Sequence, residues 1–215
     1  MLGFIGGTGP EGRGLATRFA ISGECVSIGS RDQAKAELAV DEVSQIISSS
    51  LITGGLNKDV ANEADLIFVT TPYAGHKDIL TSLENELTGK IVVDVVAPLA
   101  FVKGRATAIR VEEGSAAMQA KKVLPNSIVV SAFQSISAED LLVPDKIIDS
   151  DVIVCSDDYD AKVLVMELAG KIEKIRAVDG GHLENSRYVE DFTALLLNIN
   201  RIYKAHSTVK ISGIF

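Results

Sequence analysis

Short apolar runs alternate with longer amphipathic stretches along the first two thirds of the chain. The runs are nearly continuous and rich in β-branched residues, as is typical of parallel strands covered on both faces. They predict strands over Leu2–Ile5, Cys25–Ile28, Leu66–Thr70, Ile91–Val95 and Ile128–Phe133. Helices or helical turns are predicted between them over Pro10–Ile21, Asp32–Ile47, Lys58–Glu63 and Gly75–Leu83. This strand-helix-strand repetition predicts an α/β fold built on a doubly wound parallel sheet.

The pattern changes near residue 150. A strand over Ser150–Cys155, a helix over Asp157–Gly170 and a strand over Ile172–Val178 precede a long helix from Leu183 to about Lys204. An apolar stripe follows that helix at spacings of three and four, formed by Val189, Phe192, Leu196, Ile199 and Tyr203 and widened by Leu195 and Ile202. We therefore expect two domains, residues 1–149 and a small α/β domain over 150–215. The stripe fits either a core helix or the interface of a homodimer, and we expect the homodimer.

Charge and composition exclude several classes of protein. The formal net charge of −8, without a basic run, argues against a nucleic-acid partner. The 47% hydrophobic and 23% charged residues describe an ordinary globular chain. No apolar run approaches the ~18 residues that span a bilayer, and no basic stretch typical of a secretory signal precedes the first strand. These features predict a cytoplasmic protein without membrane contact, and its cysteines, Cys25 and Cys155, are expected to be buried free thiols.

A glycine motif follows the first predicted strand and opens the first helix. The residues are Gly7, Thr8, Gly9, Pro10, Glu11 and Gly12, a G-x-G-x-x-G pattern in the context that a Rossmann-type dinucleotide site requires. In such a loop the first glycine makes a tight turn, the second lets a pyrophosphate approach the backbone, and the third allows close packing of helix on strand. Free N–H groups at the helix N-terminus then face the phosphates. The motif predicts a dinucleotide-binding domain.

The end of the second strand indicates which dinucleotide binds. NAD sites usually place a carboxylate there for the ribose 2′-hydroxyl. Here the position is occupied by Ser30 and Arg31, while Asp32 is expected to cap the following helix. Arg31 offers a charged planar fork suited to phosphate, and Thr8 and Lys35 can add a hydroxyl and a second charge. The sequence therefore predicts NADP, with its 2′-phosphate held at this strand end.

Two further strand ends carry prolines. Thr71 and Pro72 follow one predicted strand, and Ala97 and Pro98 follow the next. Since open α/β sheets bind ligands at the carboxyl ends of their strands, we expect these residues to form the wall of the nicotinamide site. His76 lies close by and is expected to line or cap a helix. Because no catalytic triad, carboxylate pair or metal-ligand cluster is recognisable, we expect hydride transfer between cofactors that the protein orients, with no catalytic side chain and no metal.

In combination these segments resemble the coenzyme F420-dependent NADP oxidoreductases. The resemblance rests on Ile5–Gly9, the triplet Gly29–Arg31, Thr71–Pro72, Asn185–Arg187 and Leu195–Asn200, and it covers essentially the whole chain. It implies hydride exchange between NADPH and the deazaflavin coenzyme F420, held in a cleft between the two domains. It also implies that Thr8, Ser30, Arg31 and Lys35 hold the 2′-phosphate. The segment 131–136, with Phe133, Gln134 and Ile136, would then face the deazaflavin.

One position departs from the family. Gln134 stands where well-known members carry a histidine. Glutamine keeps hydrogen-bonding groups but cannot titrate. Either the deazaflavin accepts the hydride without an acid at this position, or the chain uses another acceptor, such as a flavin, a ferric complex or a small imine or ketone. A module that senses NADP without turnover is the non-enzymatic alternative.

Overall fold

The computed structural model describes residues 1–47 and 50–214 of the chain. Its strands are β1 (Leu2–Ile5), β2 (Val26–Ser30), β3 (Ile52–Leu56), β4 (Leu66–Val69), β5 (Ile91–Asp94), β6 (Leu99–Val102), β7 (Arg105–Ala108), β8 (Ile128–Ser131), β9 (Ser150–Ser156) and β10 (Ile175–Asp179). Its helices are α1 (Pro10–Ile21), α2 (Gln33–Ile46), α3 (Asn57–Glu63), α4 (Tyr73–Ser82), α5 (Glu84–Leu87), α6 (Ala116–Val123), α7 (Ala138–Leu141), α8 (Tyr159–Gly170) and α9 (Ser186–Tyr203).

Eight strands form one sheet in the order β10-β9-β8-β5-β4-β1-β2-β3. Six neighbouring strands of this sheet, β8, β5, β4, β1, β2 and β3, are parallel to one another. Phe4 of β1, for example, lies between Ile28 of β2 and Phe68 of β4. Strands β6 and β7 form a separate antiparallel pair. Strand β9 runs antiparallel to β8, and β10 runs parallel to β9. The predicted doubly wound α/β fold is confirmed, and the C-terminal strands extend the same sheet. The predicted division at residue 149/150 stays a prediction.

Helices cover both faces of the sheet because neighbouring residues on each strand point in opposite directions. On one face Phe4 stacks on Phe68 at 4.9 Å between ring centroids, and Phe19 of α1 packs on both rings. On the other face Ile5 and Val69 pack with residues of α3, α4 and α6. The central strands are buried throughout, as their continuous apolar runs predict.

Several predicted boundaries agree with the structure. Helix α1 spans the predicted range, with Pro10 in its first turn. Asp32 caps α2 as expected, since its side chain accepts hydrogen bonds from the backbone N–H groups of Ala34 and Lys35. Where α2 ends differs by one residue from the prediction, at Ile46 rather than Ile47.

Several features differ from the predictions: helix α6 was not predicted, and the strand predicted over Ile172–Val178 spans Ile175–Asp179. Cys25 is exposed, because β2 begins one residue later, whereas Cys155 is buried as expected. Strand β3 and the β6–β7 hairpin were not predicted. The long-helix stripe is divided: Val189 and Leu196 are buried, whereas Phe192, Leu195, Ile202 and Tyr203 are exposed.

No helix among the described residues is both long and apolar enough to cross a bilayer.

Candidate functional site

A large cleft runs along the carboxyl ends of the parallel strands. It encloses about 1410 Å³, more than the roughly 300–1,000 Å³ of a usual small-molecule site. Its wall includes residues that follow β1, β2, β4, β5 and β8, together with one side of α9 and the residues after it. This is the edge at which open α/β sheets bind their ligands, and the volume accommodates more than one small molecule.

Twelve of the sixteen predicted site residues line this cleft: Thr8, Gly9, Pro10, Glu11, Ser30, Arg31, Lys35, Thr71, Pro72, Ala97, Gln134 and Ile136. The other four lie behind its wall. Gly7 and Gly12 pack against one another below the loop, and Pro98 is buried. Phe133 turns into the core, at 6.0 and 5.9 Å between ring centroids from Phe19 and Phe68, so its side chain does not face the cleft as expected.

The glycine loop has the shape that a pyrophosphate requires. A Cβ on Gly12 would lie 2.5 Å from the Cα of Gly7, so only glycine permits this approach of helix to strand. A Cβ on Gly9 would meet no described atom within 4 Å, which leaves the backbone open to the cleft. Asn57, which the sequence analysis missed, braces the loop, since its Oδ1 accepts a 3.0 Å hydrogen bond from the N–H of Gly6. The loop therefore fits a dinucleotide.

The end of β2 presents hydroxyl and positive groups to the same cleft. Arg31 and Lys35 are exposed beside the buried Ser30, and all three line the cleft. The Ser30 hydroxyl accepts a hydrogen bond from the N–H of Asp32, so its own hydrogen is free to donate to a ligand. The Asp32 carboxylate accepts from the first turn of α2, which partly neutralises the one acidic group beside the site. This arrangement suits an added phosphate better than a bare 2′-hydroxyl.

At the opposite wall, Gln134 is fixed in one orientation. Its Nε2 donates to the Asp94 carbonyl at 2.8 Å and to the Ser131 hydroxyl at 2.9 Å. Because the carbonyl can only accept, the amide nitrogen must lie on that side. Its Oε1 is buried without a hydrogen-bond partner among the described residues. The Gln134 Oε1 is thus a fixed acceptor that no described group uses.

A buried ionisable cluster supports the wall from behind. His76 Nε2 lies 2.6 Å from Asp94 Oδ2, and the other carboxylate oxygen of Asp94 accepts from the N–H of Val96, a residue of the cleft. Burial acts to lower the pKa of His76, but the charge and hydrogen bond of Asp94, together with Gln119 and Glu190, outweigh burial and raise the pKa. His76 therefore positions the loop after β5, a role the sequence analysis did not assign.

Glu190 of α9 completes this cluster. Its carboxylate accepts from the N–H groups of Ala116 and Ala117 at 2.7 and 3.2 Å, at the N-terminus of α6. Burial, with the charge of Asp94, raises the pKa of Glu190 to about 8, against the stabilising backbone N–H groups. The contact anchors α9, whose Thr193 hydroxyl donates to the carbonyl of Gln134. Helix α9 thus forms a fixed part of the cleft.

The doubly wound sheet and the glycine loop at its carboxyl edge define a Rossmann-type oxidoreductase. A family model described as "NADP oxidoreductase coenzyme F420-dependent" matches residues 1–98. The F420-dependent NADP reductase of Methanocaldococcus jannaschii is 38% identical over 96% of this chain and 95% of its own. That of Methanothermobacter thermautotrophicus is 40% identical over 91% of this chain and 87% of its own.

The chain belongs to this family of coenzyme F420-dependent NADP oxidoreductases. A solved structure agrees in fold over the whole length. It is an Arthrobacter protein provisionally described as an F420-dependent NADP reductase, with a TM-score of 0.84, 28% identity and coverage of 99% of both chains. The resemblance inferred from the motifs is thereby confirmed.

Proposed function

We propose that the protein transfers a hydride between NADPH and coenzyme F420, with both molecules held in the one cleft. The observation that carries the proposal is the continuity of this cleft, which joins the glycine loop and Arg31 to the wall around Gln134. Bound NADPH supplies the hydride, and the deazaflavin ring accepts it. The residues of the chain orient the two rings and exclude water.

Each half of the cleft has groups that fit one of the two molecules. The N-terminus of α1 would hold the diphosphate, and Ser30, Arg31 and Lys35 would hold the 2′-phosphate. At the other wall, the unpaired Oε1 of Gln134 would accept a hydrogen bond from the N–H of the deazaflavin's imide. The unpaired hydroxyl of Thr71, in the wall between them, is available to either molecule. A buried polar atom left unpaired costs about 1–3 kcal/mol, which a fitting ligand recovers.

Mixing the purified protein with NADPH and oxidised F420 is expected to bleach the deazaflavin absorbance, with one NADPH consumed for each F420. Replacing NADPH by NADH is expected to slow the reaction strongly, since Arg31 and Lys35 then lack their phosphate. Oxidation of NADPH by a flavin, a ferric complex or an imine, with no reaction of F420, would contradict the proposal. Binding of NADPH without turnover of any of these acceptors would indicate an NADP-sensing module.

We further propose that the protein is a homodimer that pairs through α9. Tyr188, Phe192, Leu195 and Ile202 follow one another at spacings of four, three and seven residues, and all are exposed. An exposed apolar stripe of this length is typical of an interface rather than of a solvated helix. The β6–β7 hairpin packs on the same helix, because Asn198 exchanges hydrogen bonds with the backbone of Ala106.

Light scattering after size-exclusion chromatography is expected to give twice the 22.8 kDa of the chain. The double variant Leu195→Asp/Ile202→Asp is expected to run as a monomer, because two charges cannot be desolvated in an apolar interface. Tyr159→Asp, at an equally exposed position on α8, serves as the control and should remain dimeric. A monomeric wild-type protein at micromolar concentration would contradict this proposal.

A further inference from the structure

Glu11 lies in the first turn of α1, on the face that follows the α7 segment. Residues 11, 14 and 18 share that face at helical spacing. Arg18 donates to carbonyls of residues 140–146, and a Cβ on Gly14 would meet Leu141 at 2.6 Å and the carbonyl of Ala138 at 3.3 Å. The same spacing directs Glu11, one turn earlier, toward the segment that joins β8 to α7. Like Gln134 and Ile136 of that segment, it lines the cleft.

The Glu11 carboxyl group has no partner there. Its Oε1 is fully buried, and no hydrogen bond reaches it from the described residues. Among the described residues, four buried side-chain atoms have no partner, and three of them, on Glu11, Thr71 and Gln134, belong to residues of this cleft. In native proteins buried polar groups nearly always have a hydrogen-bond partner, whether from the protein, from ordered water or from a ligand. The concentration of such atoms here therefore points to contacts that form when the cleft is filled.

The surroundings favour the neutral form of Glu11. Burial raises its pKa to about 8. Several nearby charged groups are engaged elsewhere: Arg13 pairs with Glu42, Arg18 binds backbone carbonyls, and His206 pairs with Glu139 and Asp140. Arg31 and Lys35 also line the cleft and remain exposed there. A dinucleotide at the N-terminus of α1 brings negative charge into the same cleft, and an ionised carboxylate beside it would be repelled.

We propose that Glu11 is a catalytic acid that remains a neutral carboxylic acid when NADPH binds and then gives its proton to the acceptor ring. The inference rests on the proposed function. As the hydride leaves the dihydronicotinamide with both electrons of its C–H bond, the acceptor gains two electrons and one hydrogen. The O–H bond of Glu11 breaks, its electron pair stays on the carboxylate, and the proton goes to a nitrogen or oxygen of the acceptor. Water returns a proton to Glu11 after the products leave.

Other titratable groups near this part of the cleft are already engaged: among the described residues of its wall, His206 pairs with Glu139 and with Asp140 behind it. Gln134 cannot titrate. His76 and Glu190 lie behind the wall, engaged with Asp94 and with the N-terminus of α6. Glu11 thus supplies an acid that Gln134 cannot.

Proton uptake on binding tests the neutral state without any turnover. Wild-type protein mixed with NADPH in weakly buffered solution at pH 8, followed with an indicator dye, is expected to take up about half a proton per site, since about half of the free sites are ionised. Glu11→Gln should take up none, and its NADPH affinity should stay constant above pH 8, where that of the wild type falls. Glu84→Gln, at an exposed position on α5, should behave as wild type. Equal uptake by wild type and Glu11→Gln would overturn the proposal.

Turnover of F420 tests the proton transfer. Loss of a general acid is expected to slow Glu11→Gln by roughly 100-fold or more, with NADPH still bound. Glu11→Leu, which removes both oxygens, should be at least as slow, and thermal melting of both variants shows whether they fold. Full activity in folded Glu11→Gln would overturn the role as acid. Absence of F420 turnover in the wild type overturns the proposed function instead, and the proton-uptake result then still decides whether NADPH requires neutral Glu11.

Discussion

The Arg18→Ala variant is expected to melt roughly 10 °C below the wild-type protein, a loss of about 3–5 kcal/mol in the free energy of unfolding. Arg18 is buried, and its guanidinium donates to the carbonyls of Asp140, Leu141 and Pro144 at 2.8–2.9 Å, and to those of Val143 and Lys146. These carbonyls end α7 and the turn after it. With alanine, the carbonyls of Leu141 and Pro144 would lose their donor, each at a cost of about 1–3 kcal/mol where water cannot enter. Those of Asp140 and Val143 would keep a backbone donor.

The effect should reach the cleft, because the segment that Arg18 holds continues directly into the wall around Gln134. Binding of F420 should therefore weaken more than binding of NADPH. Arg18→Lys keeps the charge but offers fewer donors, and should fall between wild type and alanine. Arg110→Ala, at an exposed position, is the control and should change stability by less than about 0.5 kcal/mol. Denaturant unfolding and thermal melting measure the differences. A melting temperature of Arg18→Ala equal to that of Arg110→Ala would contradict the account.

The Arg31→Ala variant is expected to bind NADPH about 5- to 150-fold more weakly, the equivalent of about 1–3 kcal/mol for a lost charge-assisted contact. Arg31 is exposed at the mouth of the cleft, beside the hydroxyl of Ser30. Its removal should leave NADH binding nearly unchanged, because NADH has no 2′-phosphate. The ratio of the two affinities, measured by fluorescence titration, therefore isolates the phosphate contact.

Two further measurements sharpen this prediction. Arg31→Lys should recover part of the affinity, since lysine keeps the charge without the two-pronged geometry. The advantage of NADPH over NADH in the wild type should shrink as salt is added, because an exposed charge pair is screened. If Arg31→Ala weakened NADH and NADPH equally, the phosphate would not lie at the end of β2.

Local chemistry explains which parts of the molecule could be predicted from the sequence. The glycine loop, the Pro10 start of α1 and the Asp32 cap each depend on residues within one or two turns, so their patterns are visible in the chain. The strand carrying Thr53, Gly54 and Gly55 could not be predicted, since it lacks an apolar run. Its Gly54 instead allows α2 to pack closely on the strand, because a Cβ at this position would lie 2.7 Å from a methyl of Val40.

The support behind the cleft depends on contacts between distant residues. His76 and Asp94 are 18 residues apart, and Glu190 meets Ala116 across 74. Only the pairing of β5 between β4 and β8 brings them together. At Phe133, by contrast, a local sequence pattern is present but predicts the wrong structure. Its apolar run predicted a strand, but β8 ends at Ser131, and the backbone of Phe133 takes a positive φ of 74° that turns the ring into the core.

The strand order also sets the sequence in which the protein can assemble on the ribosome. The central strand β1 has both of its neighbours, β2 and β4, within the first 69 residues, so half of the sheet can pair early during synthesis. The free edge of β8 is covered only after β9 has been synthesised. The first N–H groups of α6 find their acceptor, the Glu190 carboxylate, only after the final helix has been synthesised. A nascent chain that stops before α9 thus leaves the N–H groups of Ala116 and Ala117 without the Glu190 carboxylate that accepts from them. Its cleft is completed only once the last helix has left the ribosome.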